Sequence, residues 1–183
     1  MSRVIVTGSP GSGKTTLLLA LRARGHTIAG DSARTIIQDR RSRGLSPRPD
    51  PHEFVQETLR MDIEQFVRHA ATPGHVFFDR SLLDALCSLD RITPLSEAEL
   101  SQWLSNYPYC AKVFVLPPWQ AIYVNDAERD HTFEHAEWVH RITQEWYGRC
   151  RYQLIEVPRV AVAERCAYVL QTLSSASDDP RDR

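Results

Sequence analysis

The sequence predicts a three-layer α/β domain in which five parallel strands carry helices on both faces, and three observations predict it. Short apolar runs such as Val4-Ile5-Val6, Val76-Phe77-Phe78 and Val113-Phe114-Val115 alternate with longer stretches of helical period. These runs are apolar at consecutive positions, as strands buried on both faces must be. A glycine-rich turn joins the first run directly to the first helical stretch. The 183 residues suit one domain with a full-sized core. We read it as residues 1–173, with a lid over about 119–135 and a Ser/Asp-rich tail at 174–183.

The turn is Gly8-Ser9-Pro10-Gly11-Ser12-Gly13-Lys14-Thr15-Thr16. The pattern G-x-x-x-x-G-K-T suits phosphate because glycines let successive N–H groups converge on one anion, at the positive end of the following helix. Lys14 then reaches the β- and γ-phosphates, Thr15 offers a hydroxyl to Mg²⁺, and Thr16 lies near the α-phosphate. Lys14 is one of only two lysines, with Lys112, in a chain that otherwise uses arginine.

The remaining elements follow in order. Leu17 to Leu21 open the first helix and Gly25 stops it, and His26 to Ala29 form a short second strand. A helix from about Ser32 to Arg43 ends near Gly44. Asp50 at the N-cap, Pro51 at N1 and Glu53 at N3 start the next helix. Its expected core face is Val55, Leu59, Ile63, Phe66 and Val67. After Thr72-Pro73-Gly74, His75 to Asp79 make the third strand, and a short helix runs through Leu82, Leu83 and Leu86. Ser96 and Glu99 form a capping box for a helix to about Asn106.

Lys112 to Leu116 are the fourth strand, stopped by Pro117-Pro118. Trp138, Ile142 and Trp146 recur every four residues in a helix from Phe133, with Gly148 as C-cap. Gln153 to Val157 form the fifth strand. The last helix turns Val162, Cys166, Val169, Leu170 and Leu173 inward.

In such a sheet, ligands collect beyond the carboxyl ends of the strands, where Gly8, Asp31, Asp79 and the residues after Leu116 all fall. Asp79 reads as a carboxylate for Mg²⁺, or as a cap for the helix at Ser81, or both; Arg80 would point at phosphate. Asp31 is placed to meet an acceptor hydroxyl as a base, and Arg34, one turn on, to hold an anionic group. Equally, Asp31 fits a helix cap and Arg34 a solvated charge. Arg129, in the lid segment, could swing onto the transferring phosphoryl group. Arg141 is a second choice, since it could instead pair with Glu137 or Glu145.

Composition narrows the alternatives. A net charge of −1 gives no global pull toward nucleic acid or anionic membrane, and the apolar runs are too short to span a bilayer. Met1-Ser2-Arg3 leads straight into the first strand, which argues for a cytoplasmic chain rather than an exported one. Cys87, Cys110, Cys150 and Cys166 are spread without C-x-x-C spacing and read as buried thiols. His131-Thr132-Phe133-Glu134-His135 fits the H-x-x-E-H zinc pattern, but such sites need a third ligand and a cleft built around the motif helix, whereas here the motif opens the lid of a chain with a phosphate loop, so the histidines read as surface groups beside a helix N-terminus.

These residues resemble the P-loop kinase-like ATPases grouped with the nicotinamide-riboside kinase domain, the AAA-type ATPase domain proteins. The marks are the turn at 8–16, Asp31 with Arg34, Asp79-Arg80 followed by Asp84, and Arg129. The resemblance implies strand order 2-3-1-4-5, shared with nucleoside and nucleotide kinases. It also implies that the acid after the second strand takes the acceptor's proton and that Asp79-Arg80-Ser81 serve metal and phosphate. Asp31 stands where many relatives carry a longer glutamate. No N-K-x-D motif for guanine is present, which favours ATP.

The expected activity is Mg²⁺-dependent transfer of the γ-phosphoryl group of ATP to a small hydroxyl-bearing acceptor, with Lys14, Arg80 and Arg129 on the phosphoryl group. The rival expectation is a regulatory or partner-binding ATPase without an acceptor. ATP and the acceptor are the expected partners, and a homodimer is left open.

Overall fold

A computed structural model describes residues 2–47, 49–123 and 132–175. The strands are β1 (Ser2–Gly8), β2 (Thr27–Ala29), β3 (His75–Asp79), β4 (Lys112–Leu116) and β5 (Gln153–Glu156). The helices are α1 (Lys14–Ala23), α2 (Ser32–Ser42), α3 (Pro51–Arg68), α4 (Leu82–Ile92), α5 (Glu97–Asn106), α6 (Phe133–Arg149) and α7 (Val162–Ser174). All five strands pair in parallel in the order β2-β3-β1-β4-β5. The chain therefore runs from β1 out to β2 and back to β3, then passes across β1 to β4 and on to β5, and the crevice between β1 and β3, where the direction of winding reverses, opens at their carboxyl ends.

Strand alternation divides the core into two layers. Val4, Val6, Phe77, Phe114 and Leu116 meet Leu17, Leu21, Cys166 and Val169 of α1 and α7. Ile5, Val76, Phe78 and Val113 meet Leu59, Phe66, Leu86 and Tyr147 of α3, α4 and α6 on the other face. Because both faces are covered, no position along β4 is exposed, and after Lys112 the strand reads as an unbroken apolar run. Of the four cysteines, Cys110, Cys150 and Cys166 are buried and Cys87 is half-buried.

Helix ends follow the local chemistry. Asp50 accepts from the N–H groups of His52 and Glu53, and Ser96 and Glu99 close a capping box. Three sequence expectations need correction. Val67 is 61 % exposed, because it stands one position past Phe66, off the face that carries Val55, Leu59 and Phe66 into the core. On α6 the buried side is Ala136, Thr143, Trp146 and Tyr147, whereas Trp138 faces out under the Arg91 guanidinium, 4.9 Å from its ring centroid. Gly148 lies inside α6, and the left-handed residue that ends the helix is Arg151, at φ 59°. No helix among the described residues is long and apolar enough to cross a membrane.

Candidate active site

The phosphate cradle is built between β1 and α1. Gly8 has φ 135°, and a Cβ there would lie 2.3 Å from the Leu116 carbonyl oxygen, so only glycine lets the turn pack on β4. The first bond of α1 runs from the Leu17 N–H to the Gly13 carbonyl, so the N–H groups of Lys14, Thr15 and Thr16 precede the ladder. No acidic side chain sits in that first turn and no side chain caps it. The positive end of the helix is thus left to an anion. Ser9 adds a buried hydroxyl with no partner among the described residues.

Lys14 is 9 % exposed and donates to the carbonyls of Gly8 and Ser9, 2.8 Å each. Burial and the nearby Arg80 lower its pKa to about 7, against the pull of Asp79, Asp31 and Asp84. A bound triphosphate would reverse that balance, since opposite charge at short range favours the ammonium.

Asp79 ends β3, with Val6 as its register partner on β1. It does not cap α4; the Ser81 hydroxyl and Asp84 carboxylate do so as a capping box. Instead Oδ1 of Asp79 is buried without a hydrogen-bond partner among the described residues, and burial raises its pKa while Lys14 opposes the rise. An orphaned carboxylate oxygen costs energy unless something engages it. Asp79 and the Thr15 hydroxyl are hard oxygen donors of the kind Mg²⁺ takes alongside substrate phosphates, so the residues fit that ion. Among the described residues no cluster of three or more His, Cys, Asp or Glu side chains forms a metal cage. Of the zinc-like pattern, His131 lies outside the described residues, and Thr132 caps α6 by accepting from the His135 N–H.

Arg80 has left-handed backbone, φ 67°. Its N–H extends the β1–β3 ladder to the Val6 carbonyl, and its Nη2 donates to the Gly8 carbonyl at 3.1 Å. Nη1 lies 3.6 Å from Asp84 and Nε 3.9 Å from Asp31. Burial opposes its charge, but the carboxylates of Asp84, Asp31 and Asp79 outweigh burial and hold its pKa above the ordinary value. Asp31 caps α2, as one of its two sequence readings has it, with Oδ1 accepting from the Arg34 N–H at 3.0 Å, while Oδ2 faces Arg80. Arg34 reaches the Thr15 hydroxyl at 3.4 Å. Arg141 is exposed on α6 and lines no part of the cavity, and Arg129 lies outside the described residues.

One site residue, Arg165, escapes the sequence reading, and another, Asp84, is named there only as a mark of the resemblance, without a role. Asp84 accepts from the Thr7 hydroxyl at 2.6 Å, the Tyr147 hydroxyl at 2.8 Å and the Ser81 N–H at 3.0 Å while it faces Arg80. The Ser81-x-x-Asp84 spacing is the signal that marks it. Arg165 of α7 lies over the Trp119 ring at 4.7 Å and donates to the Ser12 carbonyl at 3.4 Å, against the outer wall of the cradle. Its only signal is a cation beside the apolar stripe at Cys166. Ile122 and Tyr123, at the start of the expected lid, come within contact distance of where side chains on Gly13 and Gly11 would stand.

A cavity of about 770 Å³ joins these parts. It runs from the cradle past Asp31, Arg34 and Arg80 to Ile37, Phe54 and Asp62. That volume is in the range of small-molecule sites.

The cradle and the sheet order β2-β3-β1-β4-β5 define a P-loop NTPase with a kinase-like fold. The chain belongs to the AAA domain family, which it matches over residues 3–165. A comparison with curated protein sequences finds no match. Among solved structures it is similar to deoxyadenosine kinase from M. mycoides with bound dATP, at 13 % identity, TM-score 0.62, and coverage of 96 % of this chain and 100 % of that one. Thymidylate kinase from Ehrlichia chaffeensis aligns at 14 % identity, TM-score 0.62, covering 94 % and 98 %. The Candida albicans thymidylate kinase aligns at 11 % identity, TM-score 0.64, covering 95 % and 91 %.

Proposed function

We propose that this chain transfers the γ-phosphoryl group of ATP to a hydroxyl of a small acceptor. The observation that carries the reading is the continuation of the cavity beyond the phosphate cradle to Ile37, Phe54 and Asp62, with Asp31 and Arg34 on its wall. In this reading the N–H groups of residues 11–16 and the Lys14 ammonium hold the triphosphate. Arg80, fixed by Asp84 and the Gly8 carbonyl, faces the developing charge on the transferring group, with Arg129 as a further cation from the lid. Asp31 accepts the hydroxyl proton as the O–P bond forms and the bond to ADP breaks. Arg34 orients the acceptor beside Thr15. Thr15 and Asp79 would hold Mg²⁺, which when bound neutralises charge on the β- and γ-phosphate oxygens.

A switch that only hydrolyses ATP has no need of a second chamber, so the cavity supports transfer over the regulatory alternative. The fold shared with deoxyadenosine and thymidylate kinases supports the same choice. The test is ATP consumption by the full chain with Mg²⁺ and a panel of nucleosides, sugars and amino sugars. Stimulation above the basal rate with a phosphorylated product identifies the acceptor; stimulation only by a protein overturns the reading.

A further inference from the structure

Beyond the phosphate cradle, the cavity wall carries one carboxylate that the transfer reaction does not use. Asp62, on α3, is only 9 % exposed and lines the chamber together with Ser32, Phe54 and Val55. Its polar surroundings have a fixed direction. Gln65 Nε2 lies 2.9 Å from the Gly30 carbonyl, which can only accept, so that terminal atom is the donating nitrogen. The same nitrogen lies 2.7 Å from the Ser32 hydroxyl, whose oxygen must therefore accept. The one hydrogen of Ser32 then goes to Oδ1 of Asp62, at 2.5 Å. The chain Gln65 to Ser32 to Asp62 ends on a carboxylate whose other oxygen, Oδ2, receives no donor among the described residues.

Nor is Asp62 neutralised by a contact cation: Arg80 is engaged with Asp84 and Asp31, and no salt bridge reaches Asp62 among the described residues. A buried carboxylate left one donor short is complementary to a ligand that brings that donor. The apolar side chains of Ile37, Phe54, Val55 and Ala85 line the same chamber and suit the body of a small molecule.

We infer that Asp62 reads the acceptor by its nitrogen: the acceptor carries an amino group that binds Oδ2 while its hydroxyl faces Asp31. This rests on the transfer reading for the role of the chamber, but binding tests it separately.

The experiment is calorimetric binding at pH 8 to the full chain loaded with Mg²⁺ and a non-hydrolysable ATP analogue. The probes are pairs that differ by an amino donor: cytidine against uridine, adenosine against inosine, and 2-amino-2-deoxyglucose against glucose. At least one amino member binds about tenfold or more tightly than its partner, as loss of a hydrogen bond to a buried charge implies. In Asp62→Asn, Ser32 still donates to the amide oxygen and the amide nitrogen now faces the ligand. The preference of the responsive pair therefore reverses or collapses, and Asp62→Ala serves the same purpose if the first variant unfolds. Equal binding, preference for the partner lacking the amine, or binding of no probe overturns the inference. Turnover without amino preference removes it and leaves phosphoryl transfer standing; amino-selective binding without turnover does the opposite.

Discussion

Asp84→Asn isolates the contact that holds Arg80 in place. The substitution keeps shape and removes one acceptor and the charge. In the native side chain, Oδ2 accepts from both the Tyr147 hydroxyl and the Ser81 N–H, and Oδ1 accepts from the Thr7 hydroxyl beside Arg80 Nη1. The asparagine amide keeps most bonds by placing its oxygen on the Oδ2 side. Its nitrogen then faces two donors, the fully buried Thr7 hydroxyl and the Arg80 guanidinium.

The cost is one buried hydroxyl without its acceptor, about 1–3 kcal/mol, plus a weakened ion pair with a partly exposed arginine, about 0.5–1 kcal/mol. We expect a loss of roughly 2–3 kcal/mol in urea unfolding followed by circular dichroism, with the midpoint lowered and the slope unchanged. Tyr147→Phe removes a single donor and costs about 1 kcal/mol. In a double-mutant cycle the two couple by about 0.5 kcal/mol or more. In the transfer assay, Asp84→Asn lowers kcat about tenfold or more while the affinity for ATP changes little, because Arg80 loses one of its two carboxylate partners. A stability loss under about 0.5 kcal/mol with kcat unchanged would refute the claim that Asp84 positions Arg80.

Other outcomes follow from the same geometry. Asp31→Asn abolishes phosphoryl transfer and leaves nucleotide affinity near wild type in a binding titration, since the amide still caps α2; retained transfer removes Asp31 as the base. Gly8→Ala places a methyl group against backbone of β4 at a positive φ and costs more than about 3 kcal/mol, read as a loss of folded protein in a thermal melt. Burial raises the Asp62 pKa from its model-peptide 3.8 to about 7, with Asp84 and Asp31 adding to the rise and Ser32 and Arg80 opposing it. Its ionisation also bears on Tyr109, whose pKa rises through burial first and Asp62 second. The folded state therefore binds the Asp62 proton more tightly than the unfolded state does, and this group's contribution to stability falls as pH rises from about 4 to about 7. Asp62→Asn removes that slope, so its stability relative to wild type improves from pH 4 to pH 8, by at most about 4 kcal/mol. Parallel pH profiles of the two proteins would contradict the assignment.

The legible parts of the site are those whose chemistry is local in sequence. The cradle announces itself because glycines, lysine and threonine must be contiguous to surround one anion. Asp31 and Asp79 could be found because strand ends converge in a parallel sheet whatever the side chains between them. Asp84, which the sequence offers only as a mark of the resemblance, shows why its role was hidden. Its partners Thr7 and Tyr147 lie 77 and 63 residues away in the chain, and no periodicity connects them. Asp62 is similar: on α3 it looks like a polar interruption between Leu59 and Phe66, and only the fold sets it against Ser32 and the cavity. The α6 stripe misled for a related reason. Aromatic residues at a spacing of four satisfy helical periodicity equally well when one of them is covered by an arginine instead of the core.

The backbone of Arg80 ties stability to function most directly. A left-handed conformation costs an ordinary side chain about 1–2 kcal/mol, and glycine would remove the cost, yet the position holds an arginine. Glycine would also remove the guanidinium that bonds the Gly8 carbonyl and faces Asp31 and Asp84. The strained turn redirects the chain between Asp79, which ends a strand, and Ser81, which caps a helix, so three consecutive side chains serve three separate tasks within one residue step each. The Arg80 N–H still completes the β1–β3 ladder at Val6, which anchors the strained residue to the strand that leads into the cradle. Any movement of the phosphate turn that shifts Gly8 therefore acts on Arg80 through its guanidinium, while its main chain stays tied to Val6 on the same strand. That shared anchorage is the physical reason to expect the arginine to respond to occupancy of the cradle.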